Sequence, residues 1–273
     1  MGIFDGVLLC SDWDGSLTAP EAPREEIVCR ENRAAIAYFQ ENGGLFTVAS
    51  GRYPDYILSF SDQIVPNTAF ISLTGAKIVD VQSGSALRES KTDGDVYLLI
   101  DEILSGFPYE ATFLHYPVND PHAKYYSREE YAAARKTLED LPAYKVLLVT
   151  DTPEHGVALR DLGRKVARGS DYDAARSWPI GLEFIRREGN KGNAVLWLKR
   201  KTEADLLVTV GDFENDIPML KSADLSFAVA NAEEEVKRAA TRVTTRTSGA
   251  GAGAEIIRII EKIRKNRSGT TLP

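Results

Sequence analysis

Residues 7–16 read VLLCSDWDGS, and this stretch decides the fold that the sequence predicts. The apolar run Val7 to Cys10 indicates a buried strand, and the polar stretch after it leads to a helical pattern from Ile27 to Phe39. Asp12 and Asp14 come just past the end of this strand, so both carboxylates are expected at its carboxyl end. Open α/β sheets bind ligands at that end, which makes this turn a candidate functional site.

Strands and helices alternate outward from this stretch at both ends of the chain. The predicted elements are strand Leu45 to Ala49, helix Tyr53 to Ser61, strand Ala69 to Leu73, helix Lys191 to Lys199, strand Leu206 to Val210, helix Asn215 to Lys221, strand Leu225 to Ala230, helix Glu233 to Ala239 and a last helix from about Ala254. Apolar strands that alternate with helices indicate a parallel sheet covered on both faces. We therefore predict an α/β fold in which residues 1–77 and 189–273 form one doubly wound parallel sheet.

The middle of the chain, residues 78–188, has a different pattern. Its predicted elements are helix Val96 to Leu104, strand Glu110 to Tyr116, helix Arg128 to Leu141, strand Lys145 to Thr150, helix Pro153 to Ala167 and strands Tyr172 to Ser177 and Gly181 to Arg186. This order predicts a small α+β domain inserted into the core.

Composition narrows the possible classes of partner. The chain has 273 residues, enough for about two domains, and its net charge of −7 comes without a basic stripe, so no nucleic-acid partner is expected. Its only cysteines are Cys10 and Cys29, which suits a reducing compartment. No apolar run approaches a membrane span, so we expect a cytoplasmic protein without a membrane partner. No pattern in the sequence specifies an oligomeric state.

A second group of carboxylates follows a late strand. Residues 211–216 read GDFEND and come directly after the strand Leu206 to Val210. Alone, Asp12 and Asp14 fit a solvated acidic turn. Three or four acids that converge at strand ends instead favour Mg²⁺, which prefers hard oxygen ligands.

Two helix starts add groups suited to a phosphate. Residues 50–52 read SGR after the strand Leu45 to Ala49, and they offer a hydroxyl and free backbone N–H groups. Lys191 begins another helix and supplies a cation. Taken singly, Ser50 fits a helix cap and Lys191 a surface lysine, but four such positions in one sheet predict a phosphate site.

The order of these four motifs resembles that of the haloacid dehalogenase (HAD) superfamily of phosphatases. The motifs are DWDGS at 12–16, SGR at 50–52, Lys191 and GDFEND at 211–216. The long insert between the second and third motifs resembles the cap of the Cof-type branch, whose members mostly hydrolyse sugar phosphates and similar small phosphomonoesters. The resemblance implies a Mg²⁺-dependent phosphatase that acts on a small phosphorylated metabolite.

The same resemblance implies a role for each residue of the motifs. Asp12 would be the nucleophile that forms an aspartyl-phosphate. Asp14 would protonate the leaving oxygen and then activate water. Asp212 would bind Mg²⁺ together with Asp12 and the main-chain carbonyl of Asp14. The phosphate would be held by the backbone N–H of Trp13 and by Ser50, Gly51, Lys191 and Asn215, and Asp216 would orient Lys191 or a metal-bound water.

Three alternatives to hydrolysis remain open from the sequence. A phosphosugar mutase of the same capped type would return the phosphoryl group to a sugar. A signalling receiver also forms an aspartyl-phosphate, but it needs only about 120 residues and no inserted domain. A non-catalytic sugar-phosphate sensor is disfavoured because both Asp12 and Asp14 are present.

The inserted domain is expected to choose the substrate. Four of its tyrosines, Tyr116, Tyr125, Tyr126 and Tyr131, either line a substrate pocket or pack as half-buried structural residues. Residues 74–76 read TGA where such sequences often have Asn-Gly-Ala, a departure in a loop of the core that could contact the substrate.

Overall fold

A computed structural model describes residues 2–267. Its strands are β1 (Val7–Asp12), β2 (Leu45–Ala49), β3 (Phe70–Ser72), β4 (Lys77–Val79), β5 (Ala86–Glu89), β6 (Thr112–Pro117), β7 (Lys124–Tyr126), β8 (Ala143–Val149), β9 (Tyr172–Trp178), β10 (Gly181–Arg186), β11 (Leu206–Gly211), β12 (Leu225–Ala228) and β13 (Arg242–Val243). Its helices are α1 (Arg30–Glu41), α2 (Pro54–Leu58), α3 (Asp95–Gly106), α4 (Arg128–Glu139), α5 (Pro153–Val166), α6 (Lys191–Lys201), α7 (Ile217–Ser222), α8 (Glu234–Ala239) and α9 (Ala252–Arg267). None of these helices combines the length and apolarity needed to cross a membrane.

The core sheet has eight strands in the order β13-β12-β11-β1-β2-β3-β4-β5. The strands from β13 to β3 pair in parallel, whereas β4 and β5 add an antiparallel edge. Central β1 lies between β11 and β2, and its residue Val7 pairs with Leu206, about 200 positions later in the chain. The centre of the sheet is therefore built from both ends of the sequence.

Side chains of β1 alternate between two hydrophobic layers. Val7 and Leu9 pack into the layer covered by α1 and α9, whereas Leu8 and Cys10 pack into the layer covered by α6 and α7. Because successive residues of a strand point to opposite faces, an apolar run of this kind fits only a sheet buried on both sides. The predicted doubly wound α/β core is confirmed.

The inserted domain, hereafter the cap, is a five-stranded sheet with helices on one face. Its strand order is β7-β6-β8-β10-β9, and the pairs are antiparallel. Helices α3, α4 and α5 cover one face through residues such as Ile100, Tyr131 and Leu159. The opposite face turns toward the carboxyl ends of the core strands, and the two domains enclose a cavity there.

The structure differs from the sequence prediction at a few elements. Strands β4, β5, β7 and β13 were not predicted, since each has only two to four residues, and β5, β7 and β13 are mostly exposed. The predicted change from core to cap at residue 78 falls within β4, so the core sheet continues to Glu89. The first helix begins at Arg30, and Ile27 lies in the turn before it.

Candidate active site

Three neighbouring strands bring the predicted motifs together. In β1, Ser11 pairs with Val210 of β11, and Asp12 pairs with Ala49 of β2. Residues that follow these strands, Asp14, Ser50 and Asp212, therefore emerge at the same edge of the sheet. The edge faces the cap.

Three carboxylates cluster at this edge. Asp12, Asp212 and Asp216 each offer an oxygen within 4.8 Å of the others. Asp12 and Asp216 are buried, and Asp212 accepts a hydrogen bond of 2.7 Å from the Ser16 hydroxyl. The sequence prediction placed Asp14 among the metal ligands through its main-chain carbonyl, and the cluster of side-chain oxygens also includes Asp216, which was predicted to orient Lys191 or a metal-bound water.

Lys191 is the cation of the cluster. Its Nζ donates to Asp12 Oδ1 at 2.5 Å and to Asp216 Oδ1 at 2.6 Å. The side chain of Asn190 caps α6 by accepting from the backbone N–H of Asn193, which fixes Lys191 at the first position of the helix. Burial disfavours the charged ammonium, but the two carboxylates outweigh burial and raise the pKa of Lys191.

The carboxylates repel one another despite Lys191. Burial, followed by the charge of Asp216, raises the pKa of Asp12 well above its usual range, although Lys191 opposes this shift. The same two causes raise the pKa of Asp212 to about 7. Three acids against one lysine leave an excess of negative charge in a site with oxygen donors only, and this donor set fits a hard divalent cation such as Mg²⁺.

Asp216 also orders the loop that carries Asp212. Its Oδ2 accepts hydrogen bonds from the backbone N–H groups of Asp212 (3.0 Å) and Phe213 (3.2 Å), while its Oδ1 accepts from Lys191. Asn215 lies on the same turn and lines the cavity.

Asp14 lies outside the carboxylate cluster and lines the cavity. Its two carboxylate oxygens accept from Nε and Nη2 of Arg52 at 3.0 and 3.1 Å, and its side chain is 37% exposed. Arg52 belongs to the SGR motif, but no role was predicted for it from the sequence. Its position directly after two small residues at a strand end was the available signal.

The other groups that the sequence predicts to bind phosphate lie next to the carboxylates. Ser50 is buried, and its hydroxyl accepts from the backbone N–H of Arg52 at 3.1 Å. Gly51 lines the cavity. The Trp13 side chain is buried against Phe60, with ring centroids 5.5 Å apart, so only its main chain is available to a phosphate.

The cavity between core and cap has a volume of about 720 Å³. The core contributes Asp12, Asp14, Arg52, Asp212 and Asn215, and the cap contributes Leu114, Tyr116, Tyr125, Lys145, Val149, Ser177 and Trp178. Of the four cap tyrosines, two line this cavity, and the other two, Tyr126 and Tyr131, pack in the hydrophobic interior of the cap.

Comparison with known proteins places the whole chain in one family. A family model described as haloacid dehalogenase-like hydrolase matches residues 9–256. A 5-amino-6-(5-phospho-D-ribitylamino)uracil phosphatase of Escherichia coli is 25% identical over 277 residues, which cover 96% of this chain and 97% of that protein.

Solved structures agree on the fold. A Plasmodium vivax protein described as an HAD/COF-like hydrolase superimposes with a TM-score of 0.74 at 21% identity, covering 96% of this chain and 97% of its own. A sugar phosphatase of HAD subclass IIB superimposes with a TM-score of 0.70 at 16% identity, covering 92% of this chain and 98% of its own.

Proposed function

Because the chain belongs to the Cof-type haloacid dehalogenase-like hydrolases, we propose that it is a Mg²⁺-dependent phosphatase that works through an aspartyl-phosphate. It is a hydrolase of phosphoric monoesters. The observation that carries the proposal is the cluster of Asp12, Asp212, Asp216 and Lys191 at the cavity between core and cap.

In the first step, a carboxylate oxygen of Asp12 attacks the phosphorus, and the bond from phosphorus to the ester oxygen breaks. Lys191, held by Asp12 and Asp216, favours the ionised form of the nucleophile and offsets the charge of the phosphate. The leaving oxygen takes a proton from Asp14, which lines the cavity on the side open to the substrate.

In the second step, Asp14 accepts a proton from water, and the resulting hydroxide attacks phosphorus and releases Asp12. The Asp14 carboxylate accepts hydrogen bonds from Nε and Nη2 of Arg52, and these bonds hold it at the wall of the cavity. Asp12, Asp212 and the main-chain carbonyl of Asp14 would hold Mg²⁺. When bound, the ion supplies charge neutralisation and in-line alignment of the phosphoryl group.

The phosphate itself would contact the core, through Ser50, Gly51, Lys191, Asn215 and the main chain of Trp13. The organic part would contact the cap, because Tyr116, Trp178 and Val149 form the opposite wall of the cavity. A cavity of about 720 Å³ holds a small organic group. We therefore propose a sugar phosphate or a similar small phosphomonoester as substrate.

The facing surfaces of the core and the cap also indicate where the chain passes from one domain to the other. We propose that the core extends to about Ser90 and resumes near Glu188, with the cap between them. Both cysteines are free thiols, which supports a reducing compartment such as the cytoplasm.

The proposal is tested by a turnover screen over sugar phosphates, nucleotides and phosphorylated cofactors in the presence of Mg²⁺. We expect release of inorganic phosphate from at least one small phosphomonoester. Reduction with borohydride during turnover should convert residue 12 to homoserine, which mass spectrometry detects and which the Asp12→Asn variant cannot form. Isomer formation without phosphate release would identify a mutase, and tight binding without turnover would identify a sensor.

A further inference from the structure

A buried lysine of the cap reaches into the core beside the predicted phosphate loop, residues 50–52. Lys145, on β8, donates from Nζ to Glu183 Oε2 of the cap at 2.8 Å, to Thr74 Oγ1 of the core at 3.1 Å and to the carbonyl of Gly51 at 3.1 Å. An ammonium has three donors, so this lysine is fully satisfied only while the cap rests on the core.

This ion pair is costly as a source of stability. The side chains of Lys145 and Glu183 are 3% and 1% exposed. Desolvation of two charges consumes most of their attraction, and apolar residues of similar volume often stabilise a fold equally well. The pair is instead well suited to define one position of the cap, because its charges lose their partners once the cap lifts.

The contact with Gly51 bears directly on the phosphate loop. The Gly51 carbonyl and the Arg52 N–H belong to one peptide plane. Lys145 holds the carbonyl end, and the Ser50 hydroxyl accepts from the N–H end at 3.1 Å. The orientation of this plane determines where the Gly51 backbone and the Arg52 side chain point, and Arg52 pairs with Asp14.

The core loop that contacts Lys145 has a strained backbone. Leu73 and Thr74 adopt positive φ angles of 51° and 62°, a region that L residues with branched side chains rarely occupy. The Thr74 N–H bonds to the Ser50 carbonyl at 2.8 Å, and its hydroxyl donates to Glu183 at 3.1 Å while accepting from Lys145. Such strain persists where surrounding contacts impose it and is frequent at functional sites.

We infer that Lys145 is a positioning residue that couples seating of the cap to the geometry of the phosphate loop. The inference rests on the proposed phosphatase function. In this arrangement the cap does more than choose the substrate: it completes the loop that aligns the phosphoryl group, so every substrate depends on it.

The test uses the full chain with Lys145→Met and with the double variant Lys145→Met/Glu183→Met. The single variant leaves Glu183 as an uncompensated buried charge, whereas the double variant removes both charges and keeps the interior apolar. We expect the double variant to regain much of the thermal stability that the single variant loses. Its kcat should nevertheless stay lower by about 10- to 100-fold, because misplacement of a phosphate-binding loop disrupts alignment.

Two measurements distinguish a role of Lys145 in positioning the phosphate loop from a role in substrate contact or in stability alone. The fall in kcat should be similar for a substrate with a large organic group and for acetyl phosphate, which is too small to need the cap wall. Hydrogen exchange of the segment 50–58 should accelerate in the double variant whether or not a substrate is known, so this arm does not depend on turnover. Failure of the wild type to release phosphate would count against the proposed function alone.

Arg176→Met is the matched control. Arg176 is also a cap residue, and it pairs with the core residue Glu214 at 3.1 Å without touching residues 50–52. The Arg176→Met variant should leave hydrogen exchange of the segment 50–58 unchanged. The inference is overturned if the double variant has wild-type kcat, if its loop exchange is unaltered, or if Arg176→Met reproduces both changes.

Discussion

The protonation of Asp12 is subject to opposing electrostatic influences. Burial and the nearby Asp216 favour its neutral form, whereas Lys191 at 2.5 Å favours the carboxylate. In the proposed mechanism Asp12 must be ionised to act as the nucleophile, so Lys191 would contribute to reactivity by favouring the charge on Asp12 as well as by neutralising the phosphate. A divalent cation in the same cluster would act in the same direction.

Asp12→Asn is expected to abolish turnover while the fold stays intact. An amide is a poor nucleophile and a weaker ligand for a cation, yet it occupies nearly the same volume. Phosphate release and circular dichroism measure the two effects. Asp62→Asn, at an exposed aspartate, is the control and should retain full activity. Near-normal turnover of a correctly folded Asp12→Asn protein would refute the covalent mechanism.

Individual residues were predictable from sequence to different degrees. The proximity of Asp12, Lys191 and Asp212 follows from their places at strand ends and at a helix start, because a parallel sheet brings such positions to one edge. Arg52 and Lys145 were not given roles. Their contacts depend on the direction of long side chains and on the docking of a second domain, and neither leaves a periodic pattern in the chain.

At the scale of elements, the turn after β1 determines how closely β1 and β11 bring their acids together. Gly15 has a φ of +80°, and a Cβ at this position would lie 2.4 Å from Asp212 Oδ2. Backbone conformation and lack of space therefore both require glycine here.

Gly15→Ala is expected to lower both stability and activity. The positive φ costs about 1–2 kcal/mol, and displacement of Asp212 should weaken the response to Mg²⁺. Gly84→Ala is a close control, because Gly84 also has a positive φ of +68° but has open space around its missing Cβ. The control should lose stability without a change in kcat. Equal effects of the two variants on kcat would show that contact with Asp212 is unimportant.

The bounds of secondary-structure elements were predicted well where the sequence pattern was strong. Strands β2 and β10 have the predicted bounds, since each is a buried run ended by turn residues. Strands β4 and β5 escaped prediction because β4 is positioned by pairing with β3, and β5 by pairing with β4, rather than by an apolar run of their own. This edge continues the core sheet past residue 78 to Glu89, and it is the reason why we propose a later boundary of the core.

At the scale of the whole molecule, the proposed metal ligands come from distant parts of the sequence. Asp12 ends β1, and Asp212 follows β11, so the unfolded chain does not hold them together. A ligand that binds only the folded state stabilises it by mass action.

Mg²⁺ is therefore expected to raise the Tm, and excess chelator should abolish turnover. Mn²⁺ or Co²⁺ should substitute, whereas Ca²⁺ should inhibit because it prefers more ligands at longer distances. Thermal unfolding and phosphate release at varied metal concentration measure these effects. Asp212→Asn should lose the Mg²⁺-dependent rise in Tm. Full activity in excess chelator would contradict the proposed cofactor.

Exchange of the cap is expected to change the ranking of substrates. The two linkers meet where the Ser90 hydroxyl donates to Glu188 at 3.1 Å, so residues 91–187 can be replaced by the cap of a related phosphatase between adjacent points. The replacement should carry a lysine at the position of Lys145. Changes at Asp212 should lower all rates without reordering them. An unaltered ranking after a cap exchange that folds would place selection in the core loops.

The central position of β1 also bears on how the chain folds. Its neighbour β11 is synthesised about 200 residues later, after the entire cap. Contacts so distant in sequence are slow to form, because a long loop must close before they contribute. The strands of the cap pair over much shorter separations in sequence, so the cap can fold first. Until β11 is synthesised, one side of β1 stays unpaired. We therefore expect the edge that carries Asp12 and Asp212 to form late in folding.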